Sequence, residues 1–375
     1  MKKKIRLIAL YLPQYYPTAS NNKWWGNGFT EWTNVCKAKK LFPGHNQPNV
    51  PADLGFYDLR LPQTREAQAQ LAMEHGIEGF CYYHYWFGNG RMELDLPLRE
   101  VLDSGQPDYP FCLCWANESW YAKMWNKDGL QTKKSLVEQT YPGHDDYVRH
   151  FNYLLPAFRD KRYICVDGKP LFMIYQPLDF PQVQSFIELW QSLAKDNGLA
   201  GIYFVGHTRR VRQEAEQNFN RGFDAVNVLR LTEAMRRSTC LKNLGNKLLR
   251  TLFNFPRVCR YKDVYPMLVG EEEKQPNIFP CIVPNWDHTP RSGSGGSVLH
   301  QATPALFRKH VEQVFEIVQE HPDQQRIVFI KSWNEWGEGN YMEPDLRYGC
   351  GYLNELHNAL LSFGAGQTDT DVHAQ

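Results

Sequence analysis

Two glutamates three residues apart, Glu335 and Glu338, stand in the run Ser332-Trp333-Asn334-Glu335-Trp336-Gly337-Glu338-Gly339-Asn340. In a strand, residues i and i+3 face opposite sides, so the two carboxyls share a side only if the chain curls. Gly337 and Gly339 favour such a curl. The flanking tryptophans exclude water, which raises one carboxyl pKa relative to its neighbour. A pair divided in this way suits glycosidic bond chemistry, which needs a proton donor for the leaving oxygen and a base or nucleophile beside it. Glu118, in Trp115-Ala116-Asn117-Glu118-Ser119-Trp120, is an alternative partner for Glu335. Retaining glycosidases place two carboxyls about 5–5.5 Å apart.

Rings and hydroxyl-binding groups surround these acids. Trp24, Trp25 and Trp32 fall within nine residues, with Glu31, Thr33 and Asn34 among them. The rings can stack on pyranose faces while the polar groups bind hydroxyls; a structural plug closing a barrel is the rival reading. Further along stand Tyr11 and Gln14, then Tyr83, His84 and Trp86, then Trp115 and Asn117, then Tyr175, His207, Trp286, Trp333 and Asn334. Each group ends an apolar run. Ordinary turns prefer Gly, Pro, Asn, Asp and Ser to aromatic side chains, so these ends are expected to share one substrate-binding face.

The runs themselves number eight: Ile5–Leu12, Ile77–Tyr83, Phe111–Ala116, Leu171–Tyr175, Ile202–Gly206, Ala225–Leu229, Ile278–Pro284 and Ile327–Ser332. Helical patterns lie between or after them at Leu61–His75, Asp145–Phe158, Pro181–Asn197, Arg209–Phe219, Pro304–Glu320 and Tyr352–Ser362. Strands alternating with helices mean a parallel sheet. Eight units without a Gly-rich fingerprint after the first strand predict an α/β (β/α)8 TIM barrel, whose active site lies at the C-terminal ends of its strands. Residues 1–362 are read as this one domain with long loops on that face, carrying a basic insertion at about 231–270. The small, polar residues 363–375 are read as a disordered tail. Residues 117–143 and 230–270 show no clean periodicity.

Composition narrows the classes. Forty-two basic residues against 41 acidic ones give a net charge of +1, so nucleic acid is not an expected partner. The basic residues are unevenly spread. From Arg236 to Lys262 there are eight Lys or Arg and no acid, leaving 34 against 41, or −7, elsewhere. Interleaved with leucines, that segment is either a helix packed on the barrel wall or a peripheral contact with an anionic membrane. Nine cysteines, several inside apolar runs, read as reduced and buried, with Cys112 and Cys114 at alternating strand positions. Met1–Lys4 begins like a secretory leader, but Arg6 and Pro13 interrupt the apolar run behind it, so a cytoplasmic location is expected. No nucleotide-binding loop, nucleophile elbow or zinc motif is present, and neither a cofactor nor a metal is expected. The Gly/Ser run Arg291–Ser297 reads as a lid, with a phosphate cradle as the alternative.

The succession Tyr11-Leu-Pro-Gln-Tyr, Trp24-Trp-Gly, Gly28-Phe-Thr-Glu-Trp-Thr-Asn, Pro51-Ala-Asp-Leu-Gly-Phe-Tyr-Asp-Leu-Arg, Gly79-Phe-Cys-Tyr-Tyr-His-Tyr-Trp, Cys114-Trp-Ala-Asn-Glu and Trp333-Asn-Glu-Trp-Gly-Glu-Gly-Asn-Tyr-Met-Glu-Pro resembles the WbsX-type proteins. These carry a glycoside hydrolase family 99-like domain and belong to bacterial O-antigen and capsule synthesis. The resemblance covers roughly residues 5 to 362. It implies a (β/α)8 barrel and an oligosaccharide or lipid-linked glycan substrate, with other polysaccharide-assembly enzymes as partners. From family 99 it further implies metal-independent, retaining cleavage of α-linked sugars. It makes Glu335 the base that takes the sugar 2-OH proton, so that O2 attacks C1 and forms a 1,2-anhydro sugar. Glu338 becomes the acid for the leaving oxygen. Glycosyl transfer, or glycan binding without turnover, are the alternatives. The chain departs from the family 99 motif at Gly337, where those enzymes carry His.

Overall fold

A computed structural model describes residues 4–125, 131–239 and 255–370. The eight barrel strands are β1 (Arg6–Tyr11), β2 (Gly79–Trp86), β3 (Phe111–Trp115), β4 (Lys169–Ile174), β5 (Tyr203–Thr208), β6 (Ala225–Val228), β7 (Ile278–Ile282) and β8 (Ile327–Ile330). Each pairs in parallel with the next. The ring closes where Arg6–Ala9 of β1 run beside Ile327–Ile330 of β8. All eight expected strands are present, and closure leaves no free edge.

A helix follows each strand in turn: α1 (Pro62–Glu74), α2 (Leu96–Ser104), α3 (His144–Phe158), α4 (Val183–Asp196), α5 (Val211–Phe219), α6 (Leu231–Thr239), α7 (Pro304–Val318) and α8 (Gly351–Thr370). α7 shows why such segments become helices. The Thr303 side chain accepts from the Leu306 N–H and Pro304 opens the first turn. Phe307, Val311, Val314, Phe315 and Val318 then form one buried stripe. Burying each such side chain contributes roughly 1.5–3 kcal/mol.

Two helices lack an expected counterpart. α2 is only nine residues long and begins Leu96-Pro97, where a proline in the first turn forfeits no hydrogen bond. α6 lies inside the stretch without clean periodicity. α8 runs eight residues past Ser362, so the segment expected to be a disordered tail is helical as far as Thr370. The basic run Arg236–Lys262 falls mostly on residues 240–254, outside the described residues. Among the described residues, no helix is long and apolar enough to cross a membrane, and eight free cysteines are present.

The insertions gather on the C-terminal face of the barrel. The loop after β1 carries short helices at Ala19–Trp25 and Glu31–Lys37. Strands Trp120–Trp125 and Gln131–Val137 form an antiparallel pair after β3. Arg257–Arg260 pairs with Ser297–His300, which puts the Gly/Ser run between β7 and α7 against that strand pair.

Candidate active site

Beyond β8 the chain makes a small hairpin. Asn334 and Glu335 pair with Tyr341 and Asn340, and Trp336–Glu338 form a 3-10 turn closed by Gly339 at φ +61°. This is the curl that brings both glutamates to one side. The turn is fixed from behind. Trp336 stacks on Tyr341 with ring centroids 3.7 Å apart and donates its Nε1–H to Glu343 Oε2 at 2.6 Å. Asn334 Oδ1 accepts from the Leu12 N–H at 2.7 Å while its Nδ2 donates to the Leu12 carbonyl at 3.0 Å.

Charge is arranged unequally around the pair. Lys331 Nζ, at the end of β8, donates to Glu335 Oε1 at 2.6 Å and reaches Glu338 Oε2 at 3.5 Å. Arg291 Nη1 lies 2.5 Å from Glu338 Oε1 but 3.8 Å from Glu335 Oε2. Burial, followed by the neighbouring Glu338 charge, pushes the Glu335 carboxyl from 4.5 up to about 7, against the pull of Lys331. Burial acts upward on Glu338 as well, but Lys331 and Arg291 overcome it and hold that carboxyl well below the usual range. Of the two carboxyls, Glu335 is therefore the one that holds a proton more readily. That is the reverse of the division the resemblance implies, because Arg291 favours Glu338.

The glutamates open into a cleft of about 280 Å3. Of the residues singled out from the sequence, Gln14, Trp25, Glu31, Asn34, Tyr83, Glu118 and Tyr175 line it with Glu335 and Glu338. Glu118 arrives from the end of β3, half-exposed and 3.9 Å from Arg209, with Gln176 on the same oxygen. Glu338, not Glu118, shares Lys331 with Glu335.

Others are placed in packing instead. Along β2 the side chains alternate, so Tyr83 and Tyr85 face the cleft while His84 and Trp86 turn outward. There His84 meets His150 of α3 at 2.9 Å, and Trp86 stacks on the same ring. Tyr11 donates to Gln68 of α1, and Trp115 packs on Phe186 of α4. Trp32 donates to the Tyr57 carbonyl and Trp333 is fully buried. Asn334 braces the turn against Leu12. Asn117 ties the ends of β3 and β4 by bonding the Gln176 N–H and carbonyl. His207 stacks beneath Tyr175 and bonds Asn227. Trp24 packs edge-on against Trp120, and Trp286 donates to Ser297. These groups shape the cleft from behind rather than lining it.

Sequence reasoning missed Lys331, Arg291 and Glu343 as site residues. Lys331 directly follows an apolar strand, which is the available signal. In the sequence Arg291 looks like the start of a lid, but its guanidinium enters the cleft. Glu343 is buried, and burial pushes its carboxyl up to about 7 even though Trp336, Gln68 and Tyr57 donate to it. Among the described residues, no group of three His, Cys, Asp or Glu side chains is arranged to hold a metal ion.

The family model described as Glycosyltransferase WbsX matches residues 7–356. Two strains of Xanthomonas campestris pv. campestris each have a protein called uncharacterized protein WxcX that is 33% identical over 357 residues. The match covers 94% of this chain and 49% of theirs, so the chain spans about half the length of these relatives. Among solved structures, a GH99 endo-alpha-mannosidase from Bacteroides thetaiotaomicron superposes with TM-score 0.56 at 15% identity, covering 97% of this chain and 98% of that one. A glycoside hydrolase-like protein gives 0.59 at 14% identity, covering 96% and 94%. At these identities the structural likeness establishes the fold.

Proposed function

The chain belongs to the WbsX glycosyltransferase family, and from that premise we propose that it is a carbohydrate-active enzyme working at the anomeric centre of α-linked glycans in bacterial surface-polysaccharide biosynthesis. One observation carries the reading: a buried, oppositely shifted glutamate pair at the C-terminal mouth of the barrel, inside an aromatic-walled cleft. Two coupled carboxyls sharing one proton supply both an acid and a base.

The proposed reaction retains configuration in two steps. Glu335 takes the proton from the sugar 2-OH as O2 bonds to C1, forming a 1,2-anhydro sugar. The C1–leaving oxygen bond breaks, and that oxygen takes the proton of Glu338. Glu338 then removes a proton from water or an acceptor hydroxyl, whose oxygen bonds C1. The C1–O2 bond opens and O2 recovers its proton from Glu335. Water as acceptor gives hydrolysis, and a sugar hydroxyl gives transfer.

This division needs the shared proton on Glu338 when the sugar is bound, although the surrounding charges by themselves favour it on Glu335. Substrate supplies the bias. A hydroxyl donating to Glu335 favours its carboxylate, whereas the glycosidic oxygen has no proton and favours a neutral acid beside it. Arg291 must loosen from Glu338 for that transfer. A lipid-linked substrate, met at the inner face of the membrane through Arg236–Lys262, completes the proposal. Its test is co-sedimentation with anionic vesicles at low salt, which failure to bind would defeat.

The main test incubates wild type, Glu335→Gln and Glu338→Gln with a panel of α-linked oligosaccharides and reads product mass and anomer. Wild type should give retained-configuration products, and each variant should lose about 10²–10⁴-fold in rate. Full turnover by either variant refutes the mechanism. An α-glycosyl fluoride then divides the roles, since fluoride leaves without an acid: Glu338→Gln should cleave it and Glu335→Gln should not. Saccharide binding without turnover, unaffected by either variant, would instead identify a glycan-binding protein.

A further inference from the structure

Gly337, between the two glutamates, has an ordinary negative-φ backbone, so conformational freedom does not explain a glycine there. Space does. A Cβ built at Gly337 would lie 1.6 Å from Glu31 Oε1 and 3.0 Å from Arg291 Nε. Glu31 comes from the long loop after β1 and is 1% exposed. Its Oε1 accepts from Arg291 Nε at 2.8 Å, and the other arm of that guanidinium holds Glu338 at 2.5 Å. A buried ion pair joining three loops thus fills the place that a side chain at 337 would take.

We propose that Glu31 is a positioning residue for the glutamate pair: acting through Arg291 it fixes where Glu338 stands and how much positive charge the pair feels, and position 337 is glycine to admit it. The inference rests on reading Glu335 and Glu338 as the reacting pair. The other groups facing them are Lys331 from the end of β8, His288 from the loop after β7 at 3.8 Å from Glu338, and Tyr83, Tyr85, Tyr175 and Glu118 across the cleft. With one proton on the pair, two carboxylate charges (Glu31 and Glu338) face two cations (Arg291 and Lys331). Removing the Glu31 charge leaves the cluster net positive and should expel the proton at lower pH. Removing the Arg291 charge should retain it to higher pH.

The test needs no substrate, so it stands or falls apart from the enzymatic reading. Glutamate carboxyl 13C resonances are titrated in the whole chain, with Glu335 and Glu338 assigned from Glu335→Gln and Glu338→Gln. Glu31→Gln, which preserves shape, should lower the pH at which the shared proton leaves by about one unit, and Arg291→Gln should raise it by at least about one. An unmoved or opposite shift in Glu31→Gln overturns the proposal. The steric half is tested by unfolding midpoints. Gly337→Ala should lower the midpoint in wild type and lower it no further in a Glu31→Ala background. Additive losses refute the shared space. If Glu31→Gln does not fold, Gly337→Ala alone decides, because an unchanged titration in that variant refutes the role of Glu31.

Discussion

Glu335→Gln should make the protein more stable relative to wild type as pH rises, although it removes a proposed catalytic group. Glutamine mimics the protonated carboxyl, so the variant keeps the charge balance of the protonated cluster at every pH. In wild type the folded-state value of about 7 stands above the ordinary 4.5. The native state therefore binds more protons than the unfolded chain between these values, and stability falls as pH rises through that window. Each pH unit is worth ~1.36 kcal/mol. Integrated with both values, the penalty is about 1 kcal/mol at pH 5 and about 3 kcal/mol at pH 8. The variant should thus gain about 2 kcal/mol on wild type between those pH values. Urea unfolding followed by tryptophan fluorescence, at pH 5, 6, 7 and 8 for both proteins, measures the difference. A gap that stays constant with pH, or narrows as pH rises, refutes the assignment of the proton to Glu335.

Glu343→Gln should lose about 1–3 kcal/mol, because an amide NH2 would face donors from Trp336, Tyr57 or Gln68, and the loss should shrink as pH rises through about 7, since burial raises this carboxyl too. Denaturant midpoints beside Glu335→Gln check this. Asn334→Ala leaves the Leu12 N–H and carbonyl without their partner and should cost a similar amount. Its effect appears as a lower unfolding midpoint together with slower turnover. Trp25, 46% exposed at the cleft, should be dispensable for folding. A stacked ring is worth about 1–1.5 kcal/mol, so Trp25→Ala should raise KM about tenfold with kcat little changed, read by glycan turnover.

The barrel was legible because apolar runs of strand length are a local signal, and eight of them recur with helices between. The curled glutamate turn was legible for the same reason, since Glu335, Gly337, Glu338 and Gly339 lie within five residues. What failed was the sorting of aromatic residues. Tyr83, His84, Tyr85 and Trp86 look alike as a run, yet the pleat sends alternate members to the cleft and to α3. Their shared identity carries no sign of which parity faces inward; the pairing of β2 with its neighbours sets that.

The sequence by itself determined the order of the eight strands and of six helices, the glutamate pair and the family. The electrostatics came only with the tertiary structure. Glu31 and Arg291 are 260 positions apart, and Arg291 and Glu338 are 47 apart. Their meeting depends on barrel closure, which seats the loop after β1 beside those after β7 and β8. Burial then turns proximity into chemistry, because water excluded from the closed turn no longer screens Lys331 and Arg291, and two identical carboxyls acquire different affinities for one proton.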